Sequence, residues 1–165
     1  MLVDDEDYEW LMQWKWCAHK GKHALSCTFY ARRSSPRGEG KRHPILMHRE
    51  IAAAQFGEHV DHINHDTLDN RKENLRRCSA SQNQHNARLR SDNPSGLKGV
   101  TWSDSHHAWQ PQICCDGKPR YLGYAATHFE AALIYDAAAQ ELFGEFALLN
   151  FPEHAHVIRQ QISLR

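Results

Sequence analysis

The sequence predicts an α+β fold built from consecutive small modules, and three observations lead to that prediction. Short aromatic and aliphatic runs separated by loop residues are typical of β-strands, and they occur near the N-terminus and again after residue 96. Between them, residues 57–92 are rich in Asp, Asn, His and Arg and predict two short strands and a helix. An alanine-rich segment at residues 127–144 has helical spacing and predicts one amphipathic helix.

The N-terminal module, residues 1–56, is expected to be rich in β-structure. Residues 24–31 and 44–47 are strand candidates, and the basic stretch between them predicts a loop or hairpin tip. Residues 48–56 predict a short helix that ends at Gly57. The aromatic side chains of this module are expected in its core, with stacking on DNA as the alternative. They are Tyr8, Trp10, Trp14 and Trp16.

The middle module combines a predicted hairpin with a polar helix. Residues 60–64 and 75–78 are the predicted strands, and the loop between them is rich in Asp and Asn, which tolerate turns. Residues 81–89 predict the helix, with Ser79 or Ser81 available as its N-cap. A strand, loop, strand and helix in about 30 residues form a ββα unit.

The C-terminal module, residues 96–152, predicts a three-stranded antiparallel sheet packed on one helix. Asp116 and Gly117 match a tight hairpin turn between its second and third strands. The spacing of Thr127 and Glu130 predicts a capping box at the start of the helix, and Gly144 is expected to end it. The predicted strands are LKGVTW, AWQPQICCDGK and RYLGY, and residues 153–165 are expected to form a tail.

Composition and charge narrow the function classes. No apolar run approaches the roughly 20 residues that span a bilayer, and the acidic start does not resemble a signal peptide, so a cytoplasmic protein without membrane contact is expected. The five cysteines include no C-x-x-C pair, which favours reduced thiols over a disulfide framework or zinc site. The net charge is zero, yet residues 10–56 carry nine Lys and Arg against two acids. This segregation favours a polyanionic partner.

The segment from Asp61 to Asn86 carries the chemistry of the chain. Asp61 is a hard oxygen donor suited to Mg²⁺ or Mn²⁺, and Asn83 on the predicted helix is the best-placed second ligand. His62 has an unperturbed pKa of about 6.5, so it can act as a general base near neutral pH. A metal, a base and interleaved cations are the parts needed to hydrolyse a phosphodiester.

At these residues the chain resembles the HNH endonuclease family, in the homing form found in phages and mobile introns. The resemblance rests on VDHIN at residues 60–64, NLR at residues 74–76 and QN at residues 82–83, with further asparagines at positions 70 and 86. It implies a ββα-metal fold with four catalytic residues. These are Asp61 as metal ligand, His62 as general base, Asn74 as the residue that orders the loop and Asn83 as the helix ligand. Many members have histidine where this chain has Asn83, which favours Mg²⁺ or Mn²⁺ over Zn²⁺.

Residues 96–152 resemble the plant ethylene-response-factor (APETALA-two) DNA-binding domain, through GVTW, W-x-P-Q-I, RYLGY and LNFP. The resemblance implies a sheet that lies in the major groove of duplex DNA. Pro119 and Gln110 replace residues that are usually basic, so fewer charged side chains are left to read bases. The expected contacts are Lys98, Trp102, Trp109, Gln110, Gln112, Lys118, Arg120 and Tyr121.

Together these features predict a metal-dependent, site-specific DNA endonuclease that nicks duplex DNA, encoded by a phage or mobile element in a bacterial host. The expected phosphate clamps are Arg71, Lys72, Arg76, Arg77, Arg88 and Arg90. One metal centre cuts one strand, so a double-strand break would need a homodimer or a second binding event. The alternatives are a DNA-binding regulator with an inactive nuclease site, a structural zinc module and a nuclease that acts on RNA.

Overall fold

A computed structural model describes residues 1–21, 28–38, 41–89, 92–115 and 117–154. The chain divides into two compact units, Met1–Asn83 and Gln84–Arg165. Both units combine small antiparallel sheets with few helices, so the α+β class predicted from the sequence is observed. The first unit holds the predicted N-terminal module together with the predicted hairpin of the middle module. The predicted module boundaries themselves remain a prediction.

The first unit contains a three-stranded sheet, a two-stranded sheet and two short helices. The larger sheet has the order β1-β2-β3, and the smaller pairs β4 with β5, all antiparallel. Its core forms where Leu11, Ala31 and Met47 meet, with Trp10 and Trp16 packed against them. The elements are α1 (Asp5–Leu11), β1 (Cys17–Lys20), β2 (Phe29–Ser34), β3 (Pro44–Leu46), α2 (Met47–Ile51), β4 (His59–His62) and β5 (Leu75–Cys78).

Several elements of this unit depart from the sequence prediction. The helix expected at residues 48–56 ends at Ile51, since Ala53 adopts a left-handed backbone with φ of 48°. Helix α1 was not predicted; it spans only two turns, too few for a periodic pattern to stand out. Strand β1 was also missed, because all four of its residues are exposed and show no alternation. The first half of the strand predicted at residues 24–31 lies outside the described residues, and β2 (Phe29–Ser34) extends beyond the predicted end.

Helix α3 (Ala80–His85) spans the division between the units, and it is shorter than the predicted helix at residues 81–89. Ser79 forms its N-cap through a reciprocal pair of hydrogen bonds. The Gln82 backbone N–H donates to Ser79 Oγ at 3.2 Å, and Ser79 N–H donates to Gln82 Oε1 at 2.8 Å. These bonds satisfy two backbone donors that would otherwise lack partners at the start of the helix, so the N-cap expected at Ser79 or Ser81 lies at Ser79.

The second unit is a three-stranded antiparallel meander packed against one helix, as the sequence predicts. The Glu130 backbone N–H donates to Thr127 Oγ1 at 3.1 Å, which confirms Thr127 as the N-cap, and the helix ends at Gly144 with φ of 55°. The Glu130 side chain accepts the N–H of Ala126 at 3.3 Å, one residue before the position that a full capping box would use. The buried carboxylate of Asp136 accepts backbone N–H groups of Asn150 and Phe151 at 2.8 Å and so fixes the segment after the helix. The elements are β6 (Val100–Ser103), β7 (Ala108–Cys115), β8 (Lys118–Tyr121) and α4 (His128–Phe143).

Among the residues that the structure describes, no helix is both long and apolar enough to cross a bilayer. The longest described helix, α4, has 16 residues and includes two buried or half-buried polar positions. Its buried side chains face the sheet of the second unit and form two core clusters with it. Ala131 packs with Val100 in one cluster, and Tyr135 and Ala139 pack with Ile113 in the other. The amphipathic helix predicted for this segment is therefore observed.

Gly99, just before β6, is a position where the fold requires glycine. Its φ is +70°, and a Cβ at this position would lie 2.1 Å from Cδ2 of buried Tyr135. We expect Gly99→Ala to cost about 1–2 kcal/mol for the left-handed backbone and roughly 1–3 kcal/mol more for overpacking. Gly96→Ala is the matched control, because its φ is +67° and no atom lies within 4 Å of the added Cβ. Urea unfolding measures the loss of stability in both variants. Equal losses would contradict the overpacking, because they would show that the Tyr135 side chain moves aside at no cost.

Candidate active site

The loop between β4 and β5 is held in place by Asn74. Its Oδ1 accepts the Asn64 backbone N–H at 2.9 Å, and its Nδ2 donates to the Asp69 carbonyl at 2.8 Å. The Ile63 N–H donates to the Asn74 carbonyl at 2.9 Å. Because this buried side chain, at the end of the loop, bonds both the start and the middle of the loop, these contacts support the loop-ordering role expected for Asn74.

Asp69, which sequence reasoning did not select, is a second fixed point of this loop. It is almost completely buried, and its carboxylate accepts hydrogen bonds from Arg71 at 2.7 and 2.8 Å and from Asn64 Nδ2 at 2.9 Å. These bonds, those of Arg71 above all, lower the pKa of Asp69 to about 2. Asp69 is therefore ionised at neutral pH and holds the guanidinium of Arg71 against the loop.

The N-terminal residues add a further brace to the loop. Leu2 forms a parallel bridge with Asp69, and its backbone bonds the Leu68 carbonyl and the Asn70 N–H at 2.8 and 2.9 Å. Asp4 Oδ2 accepts the Lys72 backbone N–H at 2.7 Å. Segments that are about 70 residues apart in sequence thus fix the same loop, which a local sequence pattern cannot reveal.

Asp61 lies on β4 directly opposite Arg76 on β5, and the two form a buried ion pair. Arg76 Nη2 and Nε donate to Asp61 Oδ2 at 2.8 and 3.0 Å. Asp61 is 7% exposed, and the Arg76 side chain is 12% exposed. Arg76 was expected as a phosphate clamp, but the structure places its guanidinium on the carboxylate that is the expected metal ligand.

His62 follows Asp61 on β4 and contacts different neighbours. Its ring is 5% exposed, with its centroid 5.0 Å from that of His48 and 6.3 Å from that of Tyr30. Burial lowers the pKa of His62 below its usual 6.5, while the Asn70 side chain and the carboxylates of Asp61, Asp66 and Asp69 oppose the shift. The imidazole is therefore neutral at neutral pH, which is the form that a general base needs.

His48, on α2, is a neighbour of the site that sequence reasoning missed. It is buried, it packs edge-on against His62, and its Nδ1 has no hydrogen-bond partner among the described residues. Burial, with help from the charges of His62 and Arg49, lowers the pKa of His48 to about 3. The only sequence signal was its place in the predicted helix at residues 48–56, which does not indicate contact with a strand 14 residues later.

The buried, neutral state of His48 predicts acid sensitivity. Its pKa is about 3 in the folded chain but 6.5 for a histidine exposed to water, so the unfolded chain binds the proton first as pH falls. The stabilisation is complete above pH 6.5 and is lost as pH falls towards 3. We expect His48→Phe, which keeps an aromatic ring, to flatten the fall in the free energy of unfolding across this window. Denaturant unfolding at several pH values measures the free energy of unfolding of the wild type and of His48→Phe. The same dependence on pH in the two proteins would contradict a buried neutral His48.

Asn83 lies in α3, half-buried, and its backbone N–H donates to the Ser79 carbonyl at 3.0 Å. If Asn83 and Asp61 hold one ion, the chemistry of their two oxygen donors suits a hard divalent cation that retains several waters. The described residues contain no group of three or more His, Cys, Asp or Glu side chains arranged to hold one ion. A metal at these two residues would therefore rest on few protein ligands, as is usual for Mg²⁺.

The expected phosphate clamps of the first unit already have acidic partners. Arg71 pairs with Asp69 and Glu73, Lys72 with Glu6 and Asp7, and Arg77 lies 3.8 Å from Glu58. Together with Arg76, all four are in ion pairs, so their charge is partly neutralised before any phosphate arrives. Arg88 is exposed in the second unit, and Arg90 lies outside the described residues.

Comparison with known proteins identifies the family. A family model described as HNH endonuclease matches residues 46–85. "Protein 3.8" of Escherichia phage T7 is 32% identical over 91 residues, covering 55% of this chain and 74% of that protein. The chain belongs to the HNH endonuclease family. The "Uncharacterized HNH endonuclease L560" of Acanthamoeba polyphaga mimivirus is 35% identical over 92 residues, covering 56% of this chain.

The chain spans only 46% of the length of its mimivirus relative. No solved structure matches the chain. The matched family segment runs from the end of β3 to the end of α3 and includes His48, Asp61, His62, Asn74 and Asn83. The sequence-based prediction of an HNH endonuclease is thus confirmed at the level of the family, while the homing subtype and the individual residue roles stay predictions.

In the second unit, the structure separates the expected DNA contacts of the sheet. Gln112 lies opposite Tyr121, and Gln110 is two residues away on the same strand, so these three side chains share one face. Trp109 alternates with them and packs in the core against Val100. The remaining expected contacts are Trp102, half-exposed beside Trp109; Lys118 and Arg120, exposed on β8; and Lys98, whose Nζ donates to the carbonyls of His85 and Ala87.

Proposed function

We propose that this protein is a metal-dependent DNA endonuclease that nicks duplex DNA at a preferred site. The observation that carries the proposal is the pair Asp61 and His62 within the matched HNH segment. Both side chains are buried in β4, the carboxylate is held from one side by Arg76, and the imidazole is kept neutral by burial. A carboxyl oxygen donor and a neutral base at adjacent positions supply both functions that phosphodiester hydrolysis needs.

In this proposal Asp61 and Asn83 hold Mg²⁺ or Mn²⁺. Such an ion, when bound, stabilises the negative charge that develops on the phosphate and on the leaving oxygen. His62 accepts the proton of the attacking water as the new P–O bond forms and the bond to the leaving oxygen breaks. Asn74 keeps the loop after β4 in place and so fixes the position of the base relative to the carboxylate.

The preference for one target sequence is assigned to the second unit. Its sheet resembles that of ethylene-response-factor domains, and Gln110, Gln112 and Tyr121 present amide and phenol groups on one face. Amide side chains can read adenine bidentately in the major groove. Lys118 and Arg120, exposed on the neighbouring strand, supply phosphate contacts. One centre per chain nicks one strand, and two chains acting together would be needed for a double-strand break.

The relatives come from a phage and a mimivirus, which supports a phage or mobile-element origin. Action in the cytoplasm of the infected cell is part of the same proposal. A second candidate function is a DNA-binding regulator whose nuclease site is inactive. The observation that favours it is the Arg76 guanidinium on Asp61, because a cation already bound to a carboxylate competes with a metal ion for the same oxygen.

Selection from a random duplex library distinguishes the two functions. The full chain is incubated with the library and Mg²⁺ or Mn²⁺, and the cut molecules and the bound molecules are sequenced separately. The endonuclease proposal expects nicked molecules that share a sequence, with the nick at a fixed distance from it. Enrichment of bound molecules without any nick, in both metals, would support the regulator and overturn the nuclease.

A further inference from the structure

We propose that a cavity in the first unit binds neighbouring backbone phosphates of the DNA strand on which the nuclease acts, with an adjoining sugar or base against Trp14. The cavity has a volume of about 480 Å³. This inference rests on the proposed function, since it assigns a subsite for the same substrate. The lining residues are Trp14, Lys15, Cys17, Arg32, Arg33 and Ser34.

The charge at this cavity is available to a phosphate. Within the part of the chain that the structure describes, Lys15 and Arg32 form no ion pair with a carboxylate. Arg32 Nη1 instead lies 3.1 Å from His19 Nε2. The expected phosphate clamps of this unit each have an acidic partner that partly neutralises their charge, so Lys15 and Arg32 are better placed to release counterions on binding. Those clamps are Arg71, Lys72, Arg76 and Arg77.

The wall of the cavity is a tryptophan held in a fixed position. The guanidinium carbon of Arg33 lies 4.2 Å from the Trp14 ring centroid, and Glu50 binds that guanidinium at 2.9 and 3.0 Å. Arg33 is 9% exposed, and its Nη1 has no hydrogen-bond partner among the described residues. Trp14 nevertheless stays 40% exposed. Arg33 thus holds one side of the Trp14 ring in place, while the exposed part of the ring lies beside Lys15 and Arg32. This arrangement suits a nucleotide, whose base or sugar packs on the ring.

The cavity also lies on a path from the candidate active site. Tyr30 and Arg32 are two residues apart on β2, so their side chains share a face of the sheet roughly 6–7 Å apart. The Tyr30 ring contacts those of His48 and His62. A strand with its scissile phosphate at His62 can therefore run over Tyr30 and bring a neighbouring phosphate to Arg32. The cavity adjoins the end of β2 at Ser34, where Lys15 also reaches it.

Salt-dependent binding of duplex DNA tests the site without requiring cleavage. Binding of the full chain to a supercoiled plasmid is measured in EDTA at several salt concentrations. Each phosphate contact contributes about 0.9 to the slope of log affinity against log salt. We expect Lys15→Gln and Arg32→Gln each to lower the magnitude of this slope by about 0.9. Trp14→Ala should weaken binding and leave the slope unchanged. Arg37→Gln, which removes the same charge at an exposed position outside the cavity, is the matched control and should keep the wild-type slope.

The outcomes separate the subsite from the proposed function. Unchanged slopes for Lys15→Gln and Arg32→Gln, in variants that fold and nick plasmid with Mg²⁺, would overturn the subsite and leave the nuclease standing. An equal fall for Arg37→Gln would also overturn it, because a diffuse basic surface would then explain the binding. Failure of the wild type to nick, with the slopes changed as expected, would refute the nuclease alone. Absence of any DNA binding by the wild type would refute both.

Discussion

Replacing His62 with alanine should lower the rate of plasmid nicking by a factor of roughly 10²–10⁴, the usual contribution of a positioned general base. The loss is expected because His62 is the buried histidine of β4, next to the buried carboxylate of Asp61; the other histidine of this strand is exposed. Conversion of supercoiled to open-circular plasmid in excess enzyme measures the rate. His59→Ala is the matched control, because His59 lies on the same strand but is exposed, and it should nick like the wild type.

The same residue predicts the pH dependence of the wild type. Burial lowers the pKa of His62 below 6.5, so at any pH less of this base is protonated than of a free histidine. We expect the nicking rate to fall by less than half as pH decreases from about 8 to 6.5. A folded His62→Ala variant that nicks at the wild-type rate would contradict His62 as the base. A wild-type rate that halves between about pH 8 and pH 6.5 would contradict its lowered pKa.

Replacing Asp61 with asparagine should abolish nicking and also weaken the fold. The substitution removes the proposed metal ligand and leaves the Arg76 guanidinium buried without its counter-charge. Breaking one side of a buried ion pair typically costs roughly 3–5 kcal/mol. Urea unfolding should therefore show a large loss of stability, and plasmid nicking should be absent at every concentration of Mg²⁺ and Mn²⁺.

A second variant separates the two effects of Asp61→Asn. Adding Arg76→Met removes the uncompensated charge with a side chain of similar length, so the double variant should regain much of the lost stability. It should still not nick DNA, because the oxygen donor for the metal is absent. Nicking that returns together with stability would show that Asp61 acts only as the structural partner of Arg76.

The sequence predicted those parts of the fold whose signals are local. Strand β5 was predicted with its observed bounds, and Thr127, Glu130 and Gly144 mark the ends of α4 as expected. In these cases a run of a few residues contains both the signal and the partners that it needs. Strand β1 and helix α1 gave no such signal, because their positions depend on contacts with residues far along the chain.

The candidate site shows the same division between local and distant information. Asp61, His62, Asn74 and Asn83 could be selected from the spacing of one motif. The contacts of His62 with His48 and Tyr30 could not, since they join a helix and two strands. The ion pair of Asp61 with Arg76 depends on the register of β4 against β5, and a shift by one residue would direct Arg76 to the opposite face.

The number of Lys and Arg residues in a segment did not predict which of these side chains are free to bind a phosphate. The sequence indicated a basic chain segment and a set of arginines near the motif, but not which of them had acidic partners. The structure pairs Arg71, Lys72 and Arg77 with carboxylates and leaves Lys15 and Arg32 without them among the described residues. Ion pairing depends on which side chains meet after folding, so the N-terminal module now takes a larger part in the proposed DNA interface than its sequence suggested.

Metal-dependent nicking by the wild-type chain is the most direct test of the account. Supercoiled plasmids carrying a sequence selected from the duplex library are incubated with the full chain in Mg²⁺, and in parallel with excess EDTA. A metal-dependent endonuclease should give open-circular product with Mg²⁺, none with EDTA, and recover its activity when Mg²⁺ is restored. Equal nicking in EDTA, or no nicking in Mg²⁺ or Mn²⁺ by a chain that is folded and binds the plasmid, would contradict it.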